Sequence, residues 1–243
     1  MALLEVDGLV RRFRGLAAVD GLSFSVAEGQ TLAIIGPNGA GKSTTFNLLS
    51  GLLAPDAGTI RFRGEDVSRA PAHLRTRMGL GRTFQVVQPF AELDVLGNVL
   101  VGALFGAARA QSLAGATAEA ERLCRLVGLG ERLHAGIGSL TLADRKRLEL
   151  ARALATKPLV LLLDEVMEGL TPTEEREAVR LLGTIRSQGV TLLLIEHVMS
   201  TVRDLSDHVL VMDYGKKLAE GPYAAVSKDP KVIAAYLGSE EAL

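Results

Sequence analysis

Residues 36–44 read Gly-Pro-Asn-Gly-Ala-Gly-Lys-Ser-Thr. This is a GxxxxGK[ST] pattern, and its setting narrows the possible folds more than any other feature of the chain. A short apolar run at residues 31–35 leads straight into it, and Phe46, Leu49 and Leu53 follow at helical spacing, ahead of Pro55 and Gly58. Strand, glycine-rich loop and helix in immediate succession let backbone N–H groups curl around phosphate oxygens, with the positive end of the helix dipole behind them. Gly36, Pro37, Asn38, Gly39, Ala40, Gly41, Lys42, Ser43 and Thr44 are therefore the expected contacts of ATP. Lys42 is placed to reach the β and γ phosphates, and the Ser43 hydroxyl to ligate Mg²⁺.

A second apolar run, residues 159–163, ends in Asp164-Glu165. Two acids at the end of a buried parallel strand emerge at the ligand-facing edge of a sheet. Asp164 can hold Mg²⁺ through water and Glu165 can polarise an attacking water; an acidic helix cap is the competing reading. Taken together, the loop and the acids specify nucleotide hydrolysis.

Short strand-like runs with glycine turns fill the first 65 residues. From residue 86 to about 154 the chain turns to Ala, Leu, Arg and Glu, which predicts a mostly helical insertion. Strand, helix (173–187), strand (190–195), a helix beginning near Val198 and a hairpin around Asp213-Tyr214-Gly215 follow. The expectation is one α/β domain with a largely parallel sheet: 1–85 and 158–225 form the nucleotide-binding core, 86–157 the helical part, and 226–243 a C-terminal helix and tail.

With 27 Lys+Arg against 28 Asp+Glu, the charge balance does not call for nucleic acid or an anionic membrane surface. No apolar run approaches the roughly 20 residues of a bilayer span, and Glu5 and Asp7 interrupt any signal-peptide pattern. A cytoplasmic location is expected, any membrane link coming through another protein. The single cysteine, Cys124, reads as a small buried apolar residue in a reducing compartment.

Over almost its whole length the sequence resembles the ABC ATPases. The loop GPNGAGKST is close to that family's usual form, Gln85 occupies the place of its Q-loop glutamine, and Glu196-His197 matches its switch histidine. Leu140, Thr141, Leu142, Ala143 and Asp144 stand where its LSGGQ signature belongs, ahead of a basic helix. The resemblance implies a P-loop, RecA-like core with an N-terminal antiparallel β subdomain and an inserted α-helical subdomain. It also implies that Gln85 senses Mg²⁺ and γ-phosphate and that His197 contacts γ-phosphate and the catalytic water. Phe13 is implied to stack on adenine, with Ala18 packed nearby.

Within the family the chain is similar to the ATPases of branched-chain amino acid importers. Residues 81–85 leading to 96–100, residues 194–197, and residues 215–221 running through 229–238 carry that likeness. The implied partners are a second ABC ATPase subunit, two membrane permeases at the inner face of the membrane and, indirectly, an external solute-binding protein. An exporter of lipid or polysaccharide and a soluble cassette acting on DNA or ribosomes are the competing functions. Coiled-coil arms or a tandem second cassette would favour the soluble kind, and neither is in the sequence.

Three departures stand out. Ala143 and Asp144 replace a glycine and a glutamine of the signature, Val166 replaces the proline usual after the catalytic glutamate, and Thr171 replaces an Asp or Asn. Asp144 is expected to compete with a partner's phosphate for the N–H groups at its helix start. The departures are open to two readings, an asymmetric heterodimer with one weaker site or plain family variation with two working sites.

Overall fold

The computed structural model describes residues 2–85, 88–107 and 112–237. Positions 86, 87 and 108–111 of the expected helical part, and the tail 238–243, lie outside the described residues. Along the chain come β1 (Ala2–Phe13), β2 (Leu16–Ala27), β3 (Thr31–Ile35), α1 (Lys42–Ser50), β4 (Ala57–Phe62) and β5 (Glu65–Asp66). Then follow α2 (Ala72–Met78), β6 (Leu80–Arg82), α3 (Val95–Phe105), α4 (Leu113–Leu126), α5 (Leu142–Ala155), β7 (Val160–Asp164) and α6 (Pro172–Ser187). The last elements are β8 (Thr191–Ile195), α7 (Met199–Leu205), β9 (His208–Asp213), β10 (Lys216–Gly221), α8 (Tyr223–Val226) and α9 (Pro230–Leu237).

The apolar runs are strands covered on both faces. Every residue of β3, β7 and β8 is buried, and alternate side chains divide between two cores. Ala33, Ile35, Leu161, Leu163, Leu192 and Leu194 face the helices α3 to α7. Leu32, Ile34, Val160, Leu162, Leu193 and Ile195 face α1 and the N-terminal sheet. A two-residue period with both phases apolar is what makes these strands read as continuous hydrophobic runs.

Six strands run in the order β10-β9-β3-β8-β7-β6, parallel except for the β9–β10 hairpin. Four more form an antiparallel sheet, β2-β1-β4-β5. Tyr214 and Gly215, at φ 43° and 78°, supply the two left-handed positions of a tight hairpin turn. The sequence missed α2 and β6, which are short and, in β6, interrupted by Gly81. It also ran α1 on to residue 53, whereas Gly51 ends the helix in a left-handed cap. Cys124 is fully buried in the helical core, where burial pushes its thiol up to about 11.

α2 exists to deliver Arg75, which is 1% exposed. Its guanidinium donates to the carbonyls of Leu48 and Leu49 at the end of α1 (2.6 and 2.7 Å), and to Ala70 and Ser68 (2.8 and 3.0 Å). Burial lowers its pKa to about 10, so it stays charged at neutral pH. The helix behind the phosphate loop is thereby tied down at its far end. Arg75→Met strands those carbonyls and is expected to cost about 2–3 kcal/mol in urea unfolding. A cost below about 0.5 kcal/mol would mean that water replaces the guanidinium without penalty.

Candidate active site

β3, β8, β7 and β6 are mutually parallel neighbours, so their carboxyl ends share one edge of the sheet. The phosphate loop leaves that edge after Ile35, Gln85 follows β6, Asp164 and Glu165 end β7, and His197 follows β8. Topology therefore gathers residues that are up to 161 positions apart, from Gly36 to His197.

Two glycines set the loop. Gly36 and Gly41 have φ of 150° and 100°, and a Cβ on either would lie 2.1 and 2.2 Å from the carbonyl oxygens of Met212 and Ala18. Ala18 thus backs the loop through its main chain. Gly41 caps α1 in a left-handed conformation with no side-chain acceptor, which leaves the first N–H groups of the helix to an anion. Asn38, Gly39 and Ser43 are exposed, Pro37 and Thr44 half-buried, and Ala40 is packed beneath. Lys42 is 5% exposed and its ammonium donates to the carbonyls of Gly36 (2.6 Å) and Pro37 (3.1 Å), so the loop is already curled around it.

Asp164 is 4% exposed and is paired with a residue the sequence did not single out. Arg82 donates to its Oδ2 at 2.9 Å and, with its other terminal nitrogen, to Asn47 Oδ1 and Ser50 Oγ on α1 (2.7 and 2.9 Å). Burial pushes the Asp164 carboxyl up, against the pull of Arg82. Its second oxygen, Oδ1, is buried without a hydrogen-bond partner. Among the described residues no group of three or more His, Cys, Asp or Glu is placed to hold a metal ion by itself. One orphaned carboxylate oxygen fits Mg²⁺, which takes few protein ligands and completes its shell with phosphate and water.

Glu165, the next residue, carries the main convergence of the site. Its Oε2 accepts from Gln85 Nε2 at 2.5 Å and its Oε1 lies 3.0 Å from His197 Nε2. Gln85 also reaches Glu168 at 3.4 Å. All three residues expected to act on the γ-phosphate and the water are therefore in one hydrogen-bonded cluster. The Lys146 ammonium, from α5, donates to the Glu165 carbonyl at 3.0 Å. Glu196 is 2% exposed, and burial pushes its carboxyl up to about 7. Phe13 ends β1 with its ring 41% exposed and the Arg11 guanidinium stacked 5.0 Å from its centre, an open aromatic face at a strand end.

Leu140 to Asp144 lie apart from this cluster, at the start of α5. Thr141 caps the helix: its hydroxyl accepts from the Asp144 N–H (3.1 Å) and donates to Asp144 Oδ2 (2.8 Å), while that carboxylate also accepts from the Thr141 N–H. Arg132 pairs with Asp144 at 3.0 Å and Arg147 at 3.9 Å. The Thr141 hydroxyl is thus engaged within its own chain, and the Asp144 charge is matched by two arginines. Ala143 is buried and Leu142 is exposed against Gly169. Thr171 caps α6 in the same fashion, with Glu174 as its reciprocal partner.

A family model described as ABC transporter matches residues 19–168. The high-affinity branched-chain amino acid transport ATP-binding protein BraF of Pseudomonas aeruginosa is 40% identical over 97% of this chain and 98% of its own length. The chain belongs to the ABC transporter family. LivG of Escherichia coli K12, named for the same transport, is 39% identical to this ABC cassette, again covering 97% and 98% of the two chains. A second model, branched-chain amino acid ATP-binding cassette transporter, matches residues 216–242 of the cassette. Among solved structures, a nucleotide-free ATP-binding cassette superposes with a TM-score of 0.89 at 30% identity, covering 98% of this chain and all of the other. The ADP conformation of another cassette gives 0.88 at 31%, with the same coverage.

Proposed function

We propose that this cassette binds ATP with Mg²⁺ and hydrolyses it as the energising subunit of a membrane importer for branched-chain or related amino acids. The observation that carries the hydrolytic half is the Glu165 carboxylate, held by Gln85 and His197 on the sheet edge where the phosphate loop begins. Glu165 orients a water and draws off its proton as the water oxygen bonds to the γ-phosphorus and the β–γ bridging bond breaks, leaving ADP and phosphate. Lys42 turns from the Gly36 and Pro37 carbonyls to the β and γ phosphates, and Phe13 stacks on adenine. Ser43, Gln85 and, through water, Asp164 would hold Mg²⁺, which when bound offsets charge on the phosphate oxygens.

In the assembly we envisage, residues 1–85 and 158–225 grip the nucleotide and residues 86–157 transmit closure. A second ABC ATPase subunit faces the phosphate loop, presenting its own signature, while Leu140 to Asp144 of this chain face the partner's nucleotide. Two permeases anchor the pair to the cytoplasmic face of the membrane, and an external solute-binding protein delivers the cargo. A groove of about 270 Å³ supports the permease contact: Phe84, Phe90 and Phe105, which are 44%, 46% and 64% exposed, line it beside Leu52 and Arg152. Among the described residues no helix is long and apolar enough to cross a membrane.

Lys42→Ala removes charge-assisted bonds to two phosphates and is expected to weaken ATP binding about 10–100-fold, read by titration with a fluorescent nucleotide. Unchanged affinity would sink the nucleotide assignment. Uptake of leucine into vesicles holding this chain, its partner ATPase and two permeases tests the importer half. ATP hydrolysis indifferent to the permeases would count against it.

A further inference from the structure

We infer that Glu196 is a positioning residue for Glu165: from the end of β8 its carboxylate holds the backbone N–H of Met167 and so fixes the turn that carries the water-orienting carboxylate. The inference rests on the hydrolytic reading given above. Glu196 is 2% exposed, and its Oε1 accepts the Met167 N–H at 3.2 Å. The Val166 N–H faces the same carboxylate and, like that of Met167, favours its charged form.

Valine at 166, unlike an imino acid, presents a main-chain N–H on the side of this carboxylate. A carboxylate, with two oxygens and about four lone pairs, can take two adjacent main-chain donors where an amide or hydroxyl is stretched to do so. The turn needs holding because Glu165 sits at φ 49°, a left-handed backbone that a glutamate adopts only at a cost in free energy.

Three contacts meet that cost. The Glu165 N–H donates to the Ile195 carbonyl at 2.9 Å, the Glu165 carbonyl accepts from Lys146 of α5 at 3.0 Å, and Glu196 accepts from the Met167 N–H two residues on. Glu196 also adjoins His197, the residue 3.0 Å from Glu165 Oε1. One dipeptide at the end of β8 thus fixes Glu165 twice, through its backbone by Glu196 and through its carboxylate by His197. Neither Glu196 nor Lys146 touches the nucleotide in this scheme; each acts through the placement of Glu165.

The test uses the full chain and two variants, Glu196→Leu and Glu196→Gln, assayed for phosphate release at varied ATP. Leucine leaves the Met167 N–H without its acceptor; glutamine keeps one acceptor oxygen. Glu196→Leu is expected to lower kcat about 30-fold with KM for ATP within about threefold, because a small misplacement of Glu165 costs rate and not binding. Glu196→Gln should recover kcat to within about fivefold of the parent. Parental kcat in the leucine variant, equal damage in both variants, or kcat and KM failing together would overturn the assignment. A parent chain that releases no phosphate from ATP would instead overturn the hydrolytic reading beneath it.

Discussion

Glu165→Gln is expected to lower steady-state ATP turnover about 10³-fold while nucleotide affinity stays within about threefold. The amide keeps the shape of the carboxylate, and its oxygen can still accept from Gln85 Nε2, so the cluster with His197 loses little geometry. What disappears is the basic oxygen that takes the water proton and the charge that aligns the water. None of the groups placed for the phosphates, Lys42, Ser43 and the α1 N–H groups, is altered. Phosphate release and equilibrium nucleotide binding, measured on the same preparation, separate the two effects. Turnover within about threefold of the parent would remove Glu165 from the chemistry.

Arg82→Met should cost about 3–5 kcal/mol of folding stability, because it leaves the Asp164 carboxylate buried without its cation. The lost contacts are three hydrogen bonds, to Asn47, Ser50 and Asp164, and two ring contacts, with Phe84 at 5.0 Å and Phe46 at 5.8 Å. The sign of the pH dependence follows from burial. Asp164 already has a folded pKa above its ordinary 3.8, and losing Arg82 raises it further. A carboxyl raised on folding binds more protons in the folded state, so the stability it allows is complete at low pH and is lost as pH rises through the folded value. The deficit of Arg82→Met should therefore be smaller at pH 5 than at pH 8 in denaturant unfolding. An equal deficit at both would assign it to the lost packing on Phe46 and Phe84.

The parts legible in the sequence are those whose chemistry dictates both residue type and neighbourhood. A phosphate loop needs its glycines in order between a strand and a helix, and residues 31–50 supply them in one stretch. Asp164-Glu165 and Glu196-His197 stand at the ends of apolar runs that only a sheet buried on both faces explains. What escaped were partners fixed by three-dimensional proximity. Arg82 meets Asp164 from 82 residues away, and Arg75 meets Leu48 from 27. In a chain with 27 basic residues nothing marks either arginine as buried. The charge of Asp144 was legible, but not the arginines that match it or the threonine hydroxyl that it takes up. Capping is a local interaction, and the Thr-Leu-Ala-Asp spacing of Thr141 to Asp144 held that signal.

Cys124 has a practical consequence. Its thiol is enclosed in the helical core and held up at about 11, so at neutral pH it presents almost no thiolate to a reagent. The chain is therefore nearly silent to maleimide as it stands, and a cysteine introduced at the exposed Leu142 would become the one labelling site. A fluorophore there would report, without background, whether the start of α5 is covered when a second subunit and ATP are added.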